Sequence, residues 1–211
     1  MLSGTCLVAA SLLSRPASAQ SNGEQDGYLR VAVGPSFLAS ELSLRTYQSW
    51  SQYGAGASAE MAVGARLSPR AVLGGFLSFT GLPSLHRARD DESQSMDLNF
   101  SALGLLGPFV DIDLNPTAPT PLYLELGLAA ALLSQGGGKF PFSSSSRTLR
   151  GGVANVGLRL QLARAGRVSW DLSGRLSAGA VTRDELGYSD GATRATVVLL
   201  MPSVLVSLVY R

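Results

Sequence analysis

Eight charged residues carry the first chemical question. Arg30, Arg66, Arg159 and Arg175 share a pattern with Glu60, Asp97, Glu125 and Asp171: each falls on the polar phase of a segment whose other phase is apolar. Charges enclosed by apolar surroundings persist mainly when they are paired. Four of each sign can pair completely, so the expectation is a structural polar network that fills an interior. The competing chemistry is a proton or ion path, or a gated pore. Acid–base work by paired carboxylates requires a cleft and perturbed proton affinities, which a sequence does not display.

The remaining candidates are weaker. His86, in SLHRARDDESQS, is the single histidine. A catalytic role would require a positioned nucleophile and an orienting carboxylate, and no local motif supplies them. Asp90, Asp91 and Glu92 could bind a divalent cation but read better as a solvated acidic run. Asp111, Asp113 and Asn115 open like an EF-hand loop, yet Pro116 stands where glycine is needed and Leu122 where glutamate is needed. GGGK at 136–139 lacks the first glycine of a phosphate loop, with Leu133 in its place, and has Phe140 where a hydroxyl belongs. With SSSS at 143–146 it reads as an outer loop. No catalytic, metal or cofactor-binding residue is therefore expected.

The elements that must hold the eight charges are strands. Period-2 alternation recurs over 28–38, 55–67, 71–80, 96–112, 122–134, 152–163, 168–181 and 194–210. These runs average more than ten residues, beyond the usual 5–6 of globular sheets and close to the roughly 9–11 that a tilted strand needs to cross a bilayer. PLYLELGLAAALLSQGGG at 121–138 shows the conflict between propensity and period. Its residues are helix formers, but Leu122, Leu124, Leu126, Leu128 and Leu132 occupy alternate positions. The links alternate as well. SPR (68–70), DLNPTAPTP (113–121) and RAGR (164–167) are compact, whereas 39–54, 81–95, 135–151 and 182–193 are long and polar. Turns at one rim and loops at the other are the signature of an up-and-down membrane barrel.

Volume assigns the two faces. In the sixth strand Val156, Leu158, Leu160 and Leu162 oppose Asn155, Gly157, Arg159 and Gln161; the seventh sets Val168, Trp170, Leu172 and Leu176 against Ser169, Asp171, Ser173, Arg175 and Ser177. The large apolar phase carries no charge in any strand. An eight-stranded barrel is just wide enough inside for its own side chains, so dozens of Leu and Val would overfill it. The small and charged phase is expected inside and the Leu/Val phase outside. A belt of that kind would aggregate in water but is required in lipid, where Arg or Lys costs roughly 2–4 kcal/mol at the midplane.

Composition agrees. Charged residues make up 15% of the 211, against about 25% in soluble domains, and a net charge of +2 without a basic cluster gives no nucleic-acid footprint. No apolar run reaches the length of a spanning helix. LVAASLLSRPASAQ ends in the small-residue site Ala17-Ser18-Ala19, so residues 1–19 are expected to be a signal peptide and 20–211 a single barrel domain. Cys6 would leave with the signal. With export, eight amphipathic strands, alternating link lengths and a last strand SVLVSLVYR that alternates up to Tyr210, the chain resembles the small eight-stranded outer-membrane β-barrels of Gram-negative bacteria, the OmpA/OmpX type. Arg211, after the aromatic, departs from that pattern.

The fold class expected is therefore all-β, an eight-stranded antiparallel up-and-down transmembrane barrel. The resemblance implies an outer-membrane location, a monomer, and contact with outer-membrane lipid and lipopolysaccharide; the partner of the outer loops is left open. The leading functional reading is a non-enzymatic barrel with a polar, plugged lumen whose loops serve surface interaction or an envelope role. An outer-membrane enzyme acting on lipid A or phospholipid, and a secreted lipocalin-like binding barrel, are the alternatives.

Overall fold

The computed structural model describes residues 27–44, 48–89, 95–98, 100–135, 147–186 and 192–211. The expected signal peptide, the acidic run at 90–92, and the GGGK and SSSS segments lie outside them. The strands are β1 (Gly27–Leu44), β2 (Gln48–Ser68), β3 (Ala71–Leu82), β4 (Leu85–Arg89), β5 (Ser95–Leu98), β6 (Ser101–Asp113), β7 (Leu122–Gln135), β8 (Arg147–Ala165), β9 (Val168–Leu186) and β10 (Ala192–Tyr210). All pairings are antiparallel. Hydrogen bonding runs β1-β10-β9-β8-β7-β6-β3-β2, and β2 returns to β1, which closes an eight-stave barrel. Closure leaves none of these staves as a bare edge.

β4 and β5 are not staves. They form a hairpin at the loop end of β2, where Trp50–Tyr53 pair with Arg89–His86. The chain leaves β3 at Pro83, rejoins the same neighbour as β4, and returns through β5 into β6. β2 is 21 residues long because it backs both partners. Gly54 and Gly56 lie where the two meet. A side chain on Gly54 would come within 2.6 Å of the Ser84 carbonyl, and one on Gly56 would run into that of Gly81.

The strands run further than their apolar patterns. β1 continues to Leu44 and β2 starts at Gln48, so most of the expected loop 39–54 is ladder; β8 and β9 likewise extend beyond 152 and 181. Strand pairing uses backbone groups, so polar side chains such as Ser40 and Gln52 continue the ladder without continuing the hydrophobic signal. The tight end has Pro69–Arg70 between β2 and β3, and Gly166–Arg167 between β8 and β9. Gly166 is the one glycine with a positive φ, 60°, among the described residues, as a two-residue hairpin turn demands.

The faces separate cleanly. On β10, Val198, Leu200, Val204, Val206, Leu208 and Tyr210 are exposed, and Val197, Leu199, Leu205 and Val209 are buried. The outward phase of β1 is uncharged from Leu29 to Ala39, with Glu41 the first charge. At about 3.3 Å per residue and a tilt of about 40°, that spans roughly 25 Å.

The interior differs from the expectation in one respect. The buried charges concentrate in the turn-side part, together with the rings of Tyr28, Phe76 and Phe109. The loop-side part is packed with large apolar side chains, among them Leu38, Leu82, Leu103, Leu105, Leu133 and Leu199, each at most 2% exposed. The lumen accommodates them because the opposing positions Ala129 and Ala131 are small and Gly107 has no side chain.

The barrel interior as candidate functional site

Alternation brings residues of six of the eight staves together in the turn-side half: Arg30 from β1, Glu60 from β2, Asp111 from β6, Glu125 from β7, Arg159 from β8, and Asp171 with Arg175 from β9. All are 7% exposed or less. Each carboxylate contacts two arginines. Glu60 accepts from Arg30 at 2.7 Å and from Arg175. Glu125 pairs with Arg30 and lies 3.4 Å from Arg175 Nε, so these four residues form a closed ring. Asp111 Oδ2 joins Arg30 at 3.8 Å to Arg159 at 2.5 Å, and also accepts the Tyr28 hydroxyl at 2.9 Å. Asp171 joins Arg159 to Arg211, whose Nη2 is 3.5 Å away.

Aromatic rings complete the enclosure. The Arg159 guanidinium lies 4.3 Å from the Tyr123 ring centre and Arg211 4.5 Å from the same ring, so both cations share Tyr123. Arg30 and Arg175 stack on Phe109 and Phe76 at 5.5 and 5.9 Å. A guanidinium is planar and weakly hydrated and carries several donors, which suits it to bridging two carboxylates while lying against a ring. Arg211 closes the turn-side end, donating to Tyr123 Oη at 2.7 Å and to Gln161 Oε1 at 3.2 Å.

Above the charged layer the hydroxyls of Ser36, Ser58 and Thr80 form a chain with spacings of 2.5 and 2.6 Å. The apolar layer follows. Nearer the loops, Arg87 donates to Gln135 at 3.1 Å and the amides of Gln135 and Gln52 meet at 2.9 Å. The interior therefore alternates charged, hydroxyl, apolar and amide layers from the turn rim to the loop rim.

Two of the eight residues expected in the lumen lie elsewhere. Arg66 has the inward parity of β2 but is exposed at the turn rim, where the ladder with β3 slips between Arg66 and Ser68. Asp97 lies on the β5 hairpin, outside the barrel, with its side chain 76% exposed; its Oδ1 is 2.9 Å from His86 Nδ1. Their places are taken by Asp111 and Arg211, so the balance of four against four persists with different members. Asp111 and Asp113 do not converge on a common point: Asp111 faces the lumen, and Asp113 Oδ1 accepts the Asn115 amide in the turn. Among the described residues no group of three His, Cys, Asp or Glu could hold a metal ion.

On the outer wall, Leu73, Leu126, Leu128 and Leu176 surround a shallow apolar depression floored by Pro108, Gly127, Ala154 and Ala178. No protein-family model matches the chain, and no curated protein sequence matches it. Solved structures do match. The outer-membrane protein OprG from Pseudomonas aeruginosa superposes with a TM-score of 0.55 at 8% identity, covering 90% of this chain and 98% of its own. The outer-membrane protein AlkL, determined in DMPC lipid bilayers, gives 0.51 at 14% identity over 93% and 96%. The fold is that of a small eight-stranded outer-membrane barrel. The apolar phase of this outer-membrane-type barrel lies outside, opposite to what a soluble lipocalin-like binder requires.

Proposed function

We propose that the protein is a monomeric integral outer-membrane barrel with a sealed interior, non-enzymatic, whose loop-side extensions supply surface interaction or an envelope role. The observation that supports this reading is a charge-balanced, ion-paired layer of buried side chains in series with a layer of buried apolar ones. Ions entering from the turns meet cations and anions already neutralised by one another, and then a stretch with no polar lining to replace hydration. The outward belt, roughly 25 Å tall and free of charge, supports residence in a bilayer. Outer-membrane lipid and lipopolysaccharide are its surroundings in this reading.

The test is single-channel conductance of the full barrel in a planar bilayer, with folding checked by heat-modifiable gel migration. Migration that changes on boiling, with no resolved conductance steps, is the expected pair of results. Regular open-channel steps would overturn the sealed interior, and purified protein soluble without detergent would overturn the lipid belt.

A second reading, a lipid-modifying enzyme, has one specific observation in its favour. The His86–Asp97 pair has the geometry by which a carboxylate orients an imidazole. The Tyr53 ring packs against the imidazole at 4.9 Å. Incubation of the folded barrel with phospholipid and lipid A, followed by mass spectrometry, decides between the readings. Acyl release that His86→Ala abolishes would establish the enzyme.

A further inference from the structure

We infer that the turn rim is a binding surface for the phosphate groups of anionic phospholipids in the leaflet on its own side of the membrane. This rests on the reading of the chain as a membrane barrel. The charges of the two rims are arranged differently. Among the described residues, the turn end carries Arg66, Arg70, Arg164, Arg167 and Arg211 against one carboxylate outside the lumen network, Asp113. Among the described residues of the loop-side strands, six arginines stand with four carboxylates, Glu41, Asp97, Asp184 and Glu185. The turn end is thus the more strongly basic of the two, five arginines to one carboxylate, although the chain as a whole is nearly neutral at +2.

Position and depth fit lipid headgroups. Arg66, Arg70, Arg164 and Arg167 are all exposed. They occur as two pairs, one at the β2–β3 turn and one at the β8–β9 turn, and these turns lie half a circumference apart in the stave order. Two separated cationic turns suit a ring of lipids around the barrel better than one soluble anion bound on its axis. Arg211 is committed to the lumen; Arg66 and Arg70 border the small cavity at its mouth, and Arg164 and Arg167 do not. Just toward the membrane from the β8–β9 pair are the outward rings of Trp170 and Tyr210, 54% and 44% exposed. Interfacial aromatics mark headgroup depth, so arginines immediately beyond them reach the phosphates, which guanidinium pairs in bidentate fashion. Arg167 also contacts the Tyr210 hydroxyl at 3.5 Å, which links the cation to the aromatic belt.

The full barrel is reconstituted into nanodiscs of equimolar DMPC and DMPG, and the lipids retained after ejection are counted by native mass spectrometry. The expected result is at least threefold enrichment of DMPG over DMPC on the wild type. R66Q/R70Q/R164Q/R167Q is expected to return the ratio to unity, and R150Q, at an exposed loop-side arginine, to leave it unchanged. The two-residue variants R66Q/R70Q and R164Q/R167Q each lose about half of the enrichment, which keeps the test available if the fourfold variant does not fold. No enrichment on a wild type that shows heat-modifiable migration would overturn the headgroup assignment while leaving the barrel intact. Enrichment that survives the substitutions would do the same, and so would enrichment stripped by inorganic phosphate alone, which would mark a general anion site. Absence of heat-modifiable migration would instead overturn the membrane reading and this inference with it.

Discussion

At the scale of single residues, the charged layer works because each carboxylate is shared. Removing one partner of a buried pair leaves an uncompensated charge, a loss of about 3–5 kcal/mol. Arg30→Met strips contacts from Glu60, Glu125 and Asp111 at once, so it should reach at least that range in urea unfolding of the refolded barrel. Arg211→Met, at the partly open turn end with 10% side-chain exposure, should cost less than half as much. Equal losses would mean that the ring does not act as a unit. Sequence parity reads which face a residue occupies, but not its height along the stave. Arg30, Glu60, Glu125, Arg159, Asp171 and Arg175 have both the parity and the height. Arg66 has the parity but stands at the rim, and Asp97 belongs to a strand that has left the barrel. Asp111 has the same parity as Asp97 along 96–112, but its spacing to Asp113 and Asn115 reads as the opening of a cation loop and not as an inward charge.

At the scale of elements, neighbouring residues of one strand experience different solvents. Leu132 and Leu133 of β7 differ by one position; the first is 52% exposed on the outer face and the second is fully buried in the apolar layer. Truncating Leu133 to Ala should leave a cavity in a close-packed interior, at about 2–5 kcal/mol. Leu132→Ala should cost about 1 kcal/mol, since lipid chains can fill the space that a rigid core cannot. Arg substitution provides a complementary check. Leu128→Arg, on the outward phase, should cost roughly 2–4 kcal/mol in a bilayer. Matching costs for Leu132→Ala and Leu133→Ala would contradict the two-faced stave. The stave pattern itself was legible because period 2 over ten or more residues outweighs helix propensity. The β4–β5 hairpin and the polar continuations of β1 and β2 were not, because ladders beyond the bilayer need no hydrophobic phase.

For the whole molecule, the arrangement in layers decides what it takes to open the barrel. Closure, strand number and the outward belt follow from alternation and link lengths; the composition of the interior does not, because Leu103, Leu133 and Leu199 lie on a phase that volume alone would reserve for small residues. The consequence is two barriers in series. Replacing the charged ring by apolar residues, as Arg30→Met, Glu60→Leu, Glu125→Leu and Arg175→Met together, exchanges one filling for another of similar volume and removes charges in balanced numbers. Such exchanges are commonly neutral for stability or favourable, so this variant should fold and remain electrically silent. Leu103→Ser, Leu133→Ser and Leu199→Ser together hydrate the apolar layer but leave the ion-paired ring below it, and conductance should again stay near the baseline. Small residues at both levels at once, with Arg30, Glu60, Glu125 and Arg175 all replaced by Ser in the triple-serine background, clear the four-residue ring and the apolar layer and leave only the Arg159–Asp171–Arg211 end by the turns. Current steps should then appear in planar bilayers if that variant retains heat-modifiable migration. Conductance from the triple-serine variant alone would show that the charged ring passes ions and that the apolar layer was the only seal.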